Sequence, residues 1–141
     1  MAKRGKVFID TNLFVYALDR HVPAKRKAAA KALRVVEEAG NGVISTQVIQ
    51  EAYVTGTTKL GIAPHDMKQA IASLRALEVV QVDIDLIQAA IDCSILQRLS
   101  FWDSLIIVTA EKARCTELWT EDLNHGQIIR GVRIHNPLSA N

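Results

Sequence analysis

Cysteine is scarce in this 141-residue chain: Cys93 and Cys115 are the two present. Neither lies in a Cys-x-x-Cys or Cys-x-x-His spacing, so the sequence signals no zinc or dithiol chemistry. Two buried free thiols are expected rather than a disulfide. With 3 prolines and 7 glycines, the chain is too poor in punctuating residues for a disordered, collagenous or linker-rich protein. Long apolar runs are missing as well. The longest aliphatic run, Leu105 to Val108, falls far short of the roughly 20 residues of a membrane helix. At the start, Val7, Phe8 and Ile9 precede Asp10, where a signal peptide needs an apolar core of about 7–15 residues. These absences predict a cytoplasmic protein with no membrane contact.

What is present has the balance of an ordinary globular protein, with 49% hydrophobic and 23% charged residues. At this length one domain over residues 1–141 can bury roughly 68–70% of its unfolded surface without a staple. The formal charge of +2 is too small to name a partner, but its distribution is uneven. Residues 1–34 carry nine basic groups against Asp10 and Asp19, a net of +7, while residues 35–141 carry a net of −5. A basic lobe suits polyanions and an acidic remainder suits cations.

Short β-type runs alternate with longer helical patterns. Lys6–Asp10 reads as a strand, followed by an apolar helical turn over Leu13–Leu18. Pro23 opens a helix to Ala39 that Gly40-Asn41-Gly42 ends. Gly42–Thr46 is a second strand, with Ser45 or Thr46 capping a helix to about Lys59. Pro64 opens a helix to about Leu77, and Val79–Asp83 is a third strand. Helices follow over Ile84–Leu99 and, capped by Ser100, from Phe101 to about Arg114. Glu117–Thr120 is a fourth strand, with Val132–His135 as a fifth at an edge. This alternation predicts an α/β domain with a mostly parallel four- to five-stranded sheet and helices on both faces.

Ligands of such sheets sit outside the carboxyl ends of the strands. Asp10 ends the first strand, and Glu121 and Asp122 follow the fourth. Glu51 lies one turn into the helix after the second strand, and Asp103 in the first turn of another helix. Each acid alone has an ordinary structural role. Asp10-Thr11-Asn12 is cap chemistry, and Glu51 suits a solvated helix face. Asp103 completes a capping box with Ser100 and favours the helix dipole. The acids after the fourth strand suit a polar loop. Together at one rim, however, they would repel one another unless a cation intervened. Hard oxygen ligands suit Mg²⁺ or Mn²⁺, which can activate water and stabilise charge on a phosphodiester. His21, His65, His125 and His135 show no HxH or HExxH spacing and offer no competing site.

Phe8-Ile9-Asp10-Thr11-Asn12, the mid-chain Glu51, Phe101-Trp102-Asp103-Ser104-Leu105-Ile106 and Leu118-Trp119-Thr120-Glu121-Asp122-Leu123 resemble, in order, the acidic motifs of PIN-domain ribonucleases. Asn124-His125-Gly126-Gln127 and Gly131–Pro137 resemble the tail of VapC-type toxins of toxin–antitoxin pairs. The resemblance covers nearly the whole chain. It implies a PIN-like domain and a Mg²⁺- or Mn²⁺-dependent endoribonuclease that uses a metal-activated water and leaves a 5′-phosphate. Asp10 and Asp103 would bind the metal, Glu51 would bind the same ion or orient its water, and Asp122 would complete a weaker second position. Glu121 stands beside Asp122 and leaves that fourth assignment open. Thr11, Asn12, Thr120 and Glu121 would line the site. A small antitoxin partner and a homodimer are also implied.

For an RNA substrate, Lys27, Lys31 and Arg34 share one helix face and can grip phosphates, although a solvated face explains them equally simply. Trp102 and Trp119 flank two of the acids and could stack bases, but core packing is expected of both. Other classes also gather acids and Mg²⁺ at a parallel sheet. A receiver-like signalling module would need paired acids at the first strand and a late Lys. An Asp-nucleophile phosphatase would show Asp-x-Asp where Asp10-Thr11-Asn12 stands. A structure-specific DNA nuclease and an inactive RNA-binding domain of the same fold are further alternatives.

Overall fold

A computed structural model describes residues 5–139, which leaves Lys3 and Arg4 of the basic segment outside the described residues. Six strands alternate with six helices. They run β1 (Lys6–Ile9), α1 (Thr11–Leu18), α2 (Pro23–Ala39), β2 (Gly42–Ser45), α3 (Thr46–Thr58), α4 (Pro64–Ala72), a 3-10 turn (Ser73–Ala76), β3 (Glu78–Val80), α5 (Ile84–Gln97), α6 (Phe101–Lys112), β4 (Cys115–Trp119), β5 (Ile128–Ile129) and β6 (Val132–His135). None of these helices is long and apolar enough to cross a membrane.

The strand order is β3-β2-β1-β4-β6-β5, and every pairing is parallel except β5 with β6. This corrects the expected four to five strands. The additional β5 has two residues and pairs antiparallel across the Arg130-Gly131 turn, too short to leave a periodic signal. It is β5, not Val132–His135, that forms the edge, because β6 pairs with β4 on its other side.

The chain steps from β1 outward to β2 and β3, then returns across them to β4. Right-handed crossovers therefore place α1–α4 on one face and α5–α6 on the other. Helices cover both faces of the central strands: Val7–Ile9 of β1 and all four residues of β2 are buried, whereas β4 and β6 also carry exposed polar residues. Phe8, Ile9, Leu13, Ile44, Ile107, Leu118 and Ile134 form the fully buried centre. Gly40 ends α2 in the left-handed region at φ 67°. Gly56 lets α4 approach α3, since a Cβ there would lie 2.4 Å from the Met67 sulfur.

Several boundaries differ from the sequence pattern: α1 begins at Thr11, β3 ends at Val80, and β4 spans Cys115–Trp119, which leaves Thr120 beyond its strand. Asp10 and Asp83 are not strand residues but side-chain caps, of α1 and α5 respectively. The helix from Pro64 tightens into 3-10 geometry after Ala72. Cys93 and Cys115 are buried free thiols, as expected, and burial pushes the Cys115 thiol up to about 12.

Candidate active site

The reversal of strand order falls between β1 and β4, which places a crevice at their carboxyl ends. Ile9 pairs with Trp119 and Trp119 with His135, so these three strands end level. The residues that follow, Asp10 and Thr120, are thereby brought side by side. Thr120 Oγ1 donates to Asp10 Oδ2 at 2.8 Å, and the Thr11 amide donates to Asp10 Oδ1 at 2.7 Å. Asp10 is thus both the cap of α1 and the buried acid of the rim, 5% exposed. Burial raises its carboxyl from an ordinary 3.8 to about 7, against the two hydrogen bonds and with help from the charges of Asp122 and Glu51.

The other acids arrive from three separate elements. Glu51 lies on α3, where Gln47 Nε2 donates to its Oε1 at 2.6 Å. Partial burial pushes its carboxyl up, opposed by Gln47 and assisted by the charges of Asp103 and Asp122. The same Gln47 amide reaches the Trp102 carbonyl at 3.4 Å and so ties α3 to the start of α6. There Ser100 Oγ accepts from the Asp103 amide at 3.0 Å. Among the described residues no hydrogen bond returns from the Asp103 carboxylate to the Ser100 amide, so the capping box is half made and the carboxylate is free for the rim.

Asp122 follows β4. Its amide donates to Thr120 Oγ1 at 3.1 Å, and its Oδ2 accepts from Asn12 Nδ2 at 3.1 Å. Burial raises its carboxyl most, the charges of Asp103 and, less, of Glu121 add to the rise, and Asn12 opposes it. Glu121, one residue earlier, is engaged by α1 and α2 instead. Tyr16 Oη donates to its Oε1 at 2.8 Å and Lys25 Nζ binds its Oε2. Burial pushes Glu121 up, but Lys25 and Tyr16 outweigh it and hold the carboxyl below the usual range. Of the two adjacent acids, it is Asp122 that shares the field of Asp10, Glu51 and Asp103.

The polar residues beside the acids divide. Asn12 and Thr120 belong to the hydrogen-bonded rim, whereas Thr11 contributes its amide, its buried hydroxyl having no partner among the described residues. Asn12 Oδ1 is likewise buried without a partner. Lys27, Lys31 and Arg34 are exposed on α2. The basic residue of α2 that reaches the rim is Lys25, which sequence reasoning passes over because its partner, Glu121, lies 96 residues away. Gln47 escapes notice for the same kind of reason: a helix glutamine carries no signal until Glu51 and Trp102 are seen beside it. Core packing is overturned for Trp102, which is 61% exposed, and holds for the half-buried Trp119. His125 Nδ1 accepts from the Asn136 amide at 3.0 Å and pins the tail rather than the rim.

Among the described residues, no three His, Cys, Asp or Glu side chains close into a ready ligand cage. The acids share a field across an open rim. That arrangement suits Mg²⁺, which binds through one or two carboxylates and keeps several waters. Partnerless buried oxygens on Thr11 and Asn12, and carboxyls raised by burial and mutual repulsion, fit a cation at this rim.

The family model of the PIN domain matches residues 7–130. The chain belongs to the PIN-domain family. Solved PIN-domain structures share the fold over most of the chain. One is in a toxin–antitoxin complex from Klebsiella pneumoniae, 22% identical, with a TM-score of 0.68 over 90% of this chain and 95% of the other. Another is Mycobacterium tuberculosis VapC20, described as a sarcin–ricin loop cleaving toxin, 18% identical, with a TM-score of 0.61 over 80% of this chain and 87% of the other. A third is in the DNA-bound VapBC complex of Salmonella typhimurium, 18% identical, with a TM-score of 0.67 over 95% and 99%. Comparison with curated protein sequences gives no significant match.

Proposed function

We propose that this PIN-domain protein is a Mg²⁺- or Mn²⁺-dependent endoribonuclease, the toxin of a toxin–antitoxin pair. The observation that carries this reading is the convergence of Asp10, Glu51, Asp103 and Asp122 at the switch point of the sheet, where burial first and one another's charges second raise Asp10, Glu51 and Asp122. Such a cluster is unfavourable unless a cation or protons neutralise it. The cleaving relative from Mycobacterium tuberculosis supports RNA as the substrate.

In this reading Asp10 and Asp103 hold the ion, Glu51 binds it or orients water, and Asp122 supplies the weaker position. A bound divalent ion would provide a Lewis acid for water and for charge developing on the phosphate. The rest of the work belongs to the chain. Thr120 fixes the Asp10 carboxylate and, through its accepted amide, the backbone of Asp122. Asn12 holds the Asp122 carboxylate by one oxygen, leaving the other available. Lys25 pairs with Glu121 and Tyr16 hydrogen-bonds it, which offsets part of the charge that this acid adds beside Asp122. Lys27, Lys31 and Arg34 lie exposed to meet phosphates outside the rim.

Two apolar surfaces suit the expected protein partners. An open cleft of about 290 Å³ includes Phe14, Leu18, Leu33, Met67, Leu74 and Leu77 in its lining and fits an apolar helix of a small antitoxin. Ile84, Ile87, Ile91 and Ile95 are exposed along α5, a stripe that a second copy would cover in a homodimer.

The deciding experiment is cleavage of single-stranded and hairpin RNA by the purified protein with Mg²⁺, with Mn²⁺ and with EDTA, followed by end-group mapping. Metal-dependent cleavage leaving 5′-phosphates is expected. Undiminished cleavage in EDTA, or 2′,3′-cyclic phosphate ends, would refute the mechanism.

A further inference from the structure

Trp102 stands one residue before Asp103 in the first turn of α6, and more than half of it is open to solvent. The ring is braced. It meets Phe101 edge-on, with centroids 5.1 Å apart and planes at 77°, and its backbone carbonyl accepts from Gln47. Beside it runs an open groove of about 400 Å³ lined by Gln47, Gln50, Glu51, Val54, Thr55 and Trp102. The groove is thus lined by both a site acid, Glu51, and an indole. Gln50 is exposed and brings an amide, which can both donate to and accept from a base edge.

Electrostatics favours a neutral contact here. The neighbouring carboxylates repel phosphates, so affinity next to the scissile bond cannot come from the backbone charge of a nucleic acid. A π face and an amide bind a base without meeting that repulsion.

We infer that Trp102 and this groove form a nucleobase subsite, in which a base of single-stranded RNA flanking the scissile phosphate stacks on the indole with Gln50 at its edge. The inference rests on the ribonuclease reading for its substrate, but it concerns binding rather than cleavage. An exposed indole can also serve a protein contact. The shared lining with Glu51 and the glutamines favour the base.

The test measures RNA affinity in EDTA at low salt, by anisotropy of a short labelled strand on the natural protein and its variants. Trp102→Ala should bind roughly 5- to 100-fold more weakly, and Trp102→Phe should keep most of the affinity. In a Trp119→Phe background, where Trp102 is the remaining tryptophan, the strand should quench the emission saturably and an abasic strand of equal length should not. Sedimentation of Trp102→Ala should match that of the natural protein. Unchanged affinity in Trp102→Ala, or equal quenching by the abasic strand, overturns the subsite. So does a Trp102→Ala protein whose oligomeric state changes, which assigns the indole to a protein contact. Quenching and weakened binding by Trp102→Ala without any cleavage in Mg²⁺ support the subsite while sinking the nuclease reading. Metal-dependent cleavage with affinity untouched by Trp102→Ala does the reverse.

Discussion

Thr120 links two acids that repel each other: its hydroxyl donates to Asp10 and accepts from the backbone amide of Asp122. The one proton of that hydroxyl is thereby committed to Asp10. Replacing it by the near-isosteric valine leaves the buried carboxylate short of a donor and frees the Asp122 backbone. Thr120→Val should cost about 1–3 kcal/mol of stability at pH 8, where Asp10 is charged, and less at pH 5, where it is neutral. Because Thr120 lowers the Asp10 pKa, its loss should move the acid limb of any pH–rate profile upward. Denaturation at the two pH values and the rate profile check both expectations.

The elevation of Asp10 also sets a pH dependence of stability. Its folded pKa of about 7 exceeds the ordinary 3.8, so the folded state binds this proton more tightly than the unfolded chain. The resulting stabilisation is full below about pH 4 and disappears as pH rises through about 7. The gap corresponds to about 4 kcal/mol at most. Glu51 and Asp122 shift in the same direction and add to the trend. Denaturant unfolding in EDTA should show stability falling from pH 5 to pH 8, and Asp10→Asn should flatten the curve. A curve that rises over this range in the natural protein would contradict the assignment.

Asp103 separates capping from cation binding, because its amide is held by Ser100 Oγ while its carboxylate faces the charges of Glu51 and Asp122. If the carboxylate serves chiefly the helix dipole, Asp103→Asn destabilises the metal-free protein by about 0.3–1 kcal/mol. In the acidic rim, neutralising it relieves repulsion on Glu51 and Asp122, so the expected metal-free protein is as stable or more so. The natural protein should gain roughly 2.7 kcal/mol from Mg²⁺ at 100 times its Kd. The variant should lose most of that gain. Thermal melts in EDTA and in Mg²⁺ distinguish the cases, and a lower melt with the full Mg²⁺ shift retained would take Asp103 out of the site.

The exposed face of α2 makes a salt-dependent prediction. Replacing Lys27, Lys31 and Arg34 together by Gln should weaken RNA binding. The log–log salt slope should fall by about 0.7–0.9 for each phosphate that no longer meets a cationic side chain. Affinities at four or more salt concentrations measure this. An unchanged slope in a folded variant would return the three residues to solvent.

The periodicity of apolar residues, the caps and the turn residues make the parallel α/β pattern and the position of every long helix legible in the sequence itself. Asp10, Glu51, Asp103 and Asp122 are equally legible as candidates, because each stands where a strand ends or a helix begins. The order of the strands is another matter. That β1 lies between β2 and β4, with the switch point at Asp10 and Thr120, depends on edges that pair 35 residues apart for β1 with β2 and 109 or more for β1 with β4, and local pattern carries no trace of it.

The choice between Glu121 and Asp122 shows the division most plainly. As neighbours in a polar loop they are equivalent, and only the arrival of Tyr16 and Lys25 from α1 and α2 ties one to a cation and leaves the other to the rim. Trp102 is the same case for burial: its place among apolar residues predicts a core position, yet the first turn of α6 stands at the sheet's open end, where no described element covers it. Local sequence thus determined which residues could do chemistry, since capping, periodicity and charge act over a few residues. Tertiary structure decided which of them share a field, since burial and Coulomb interactions depend on distances that only the folded chain sets.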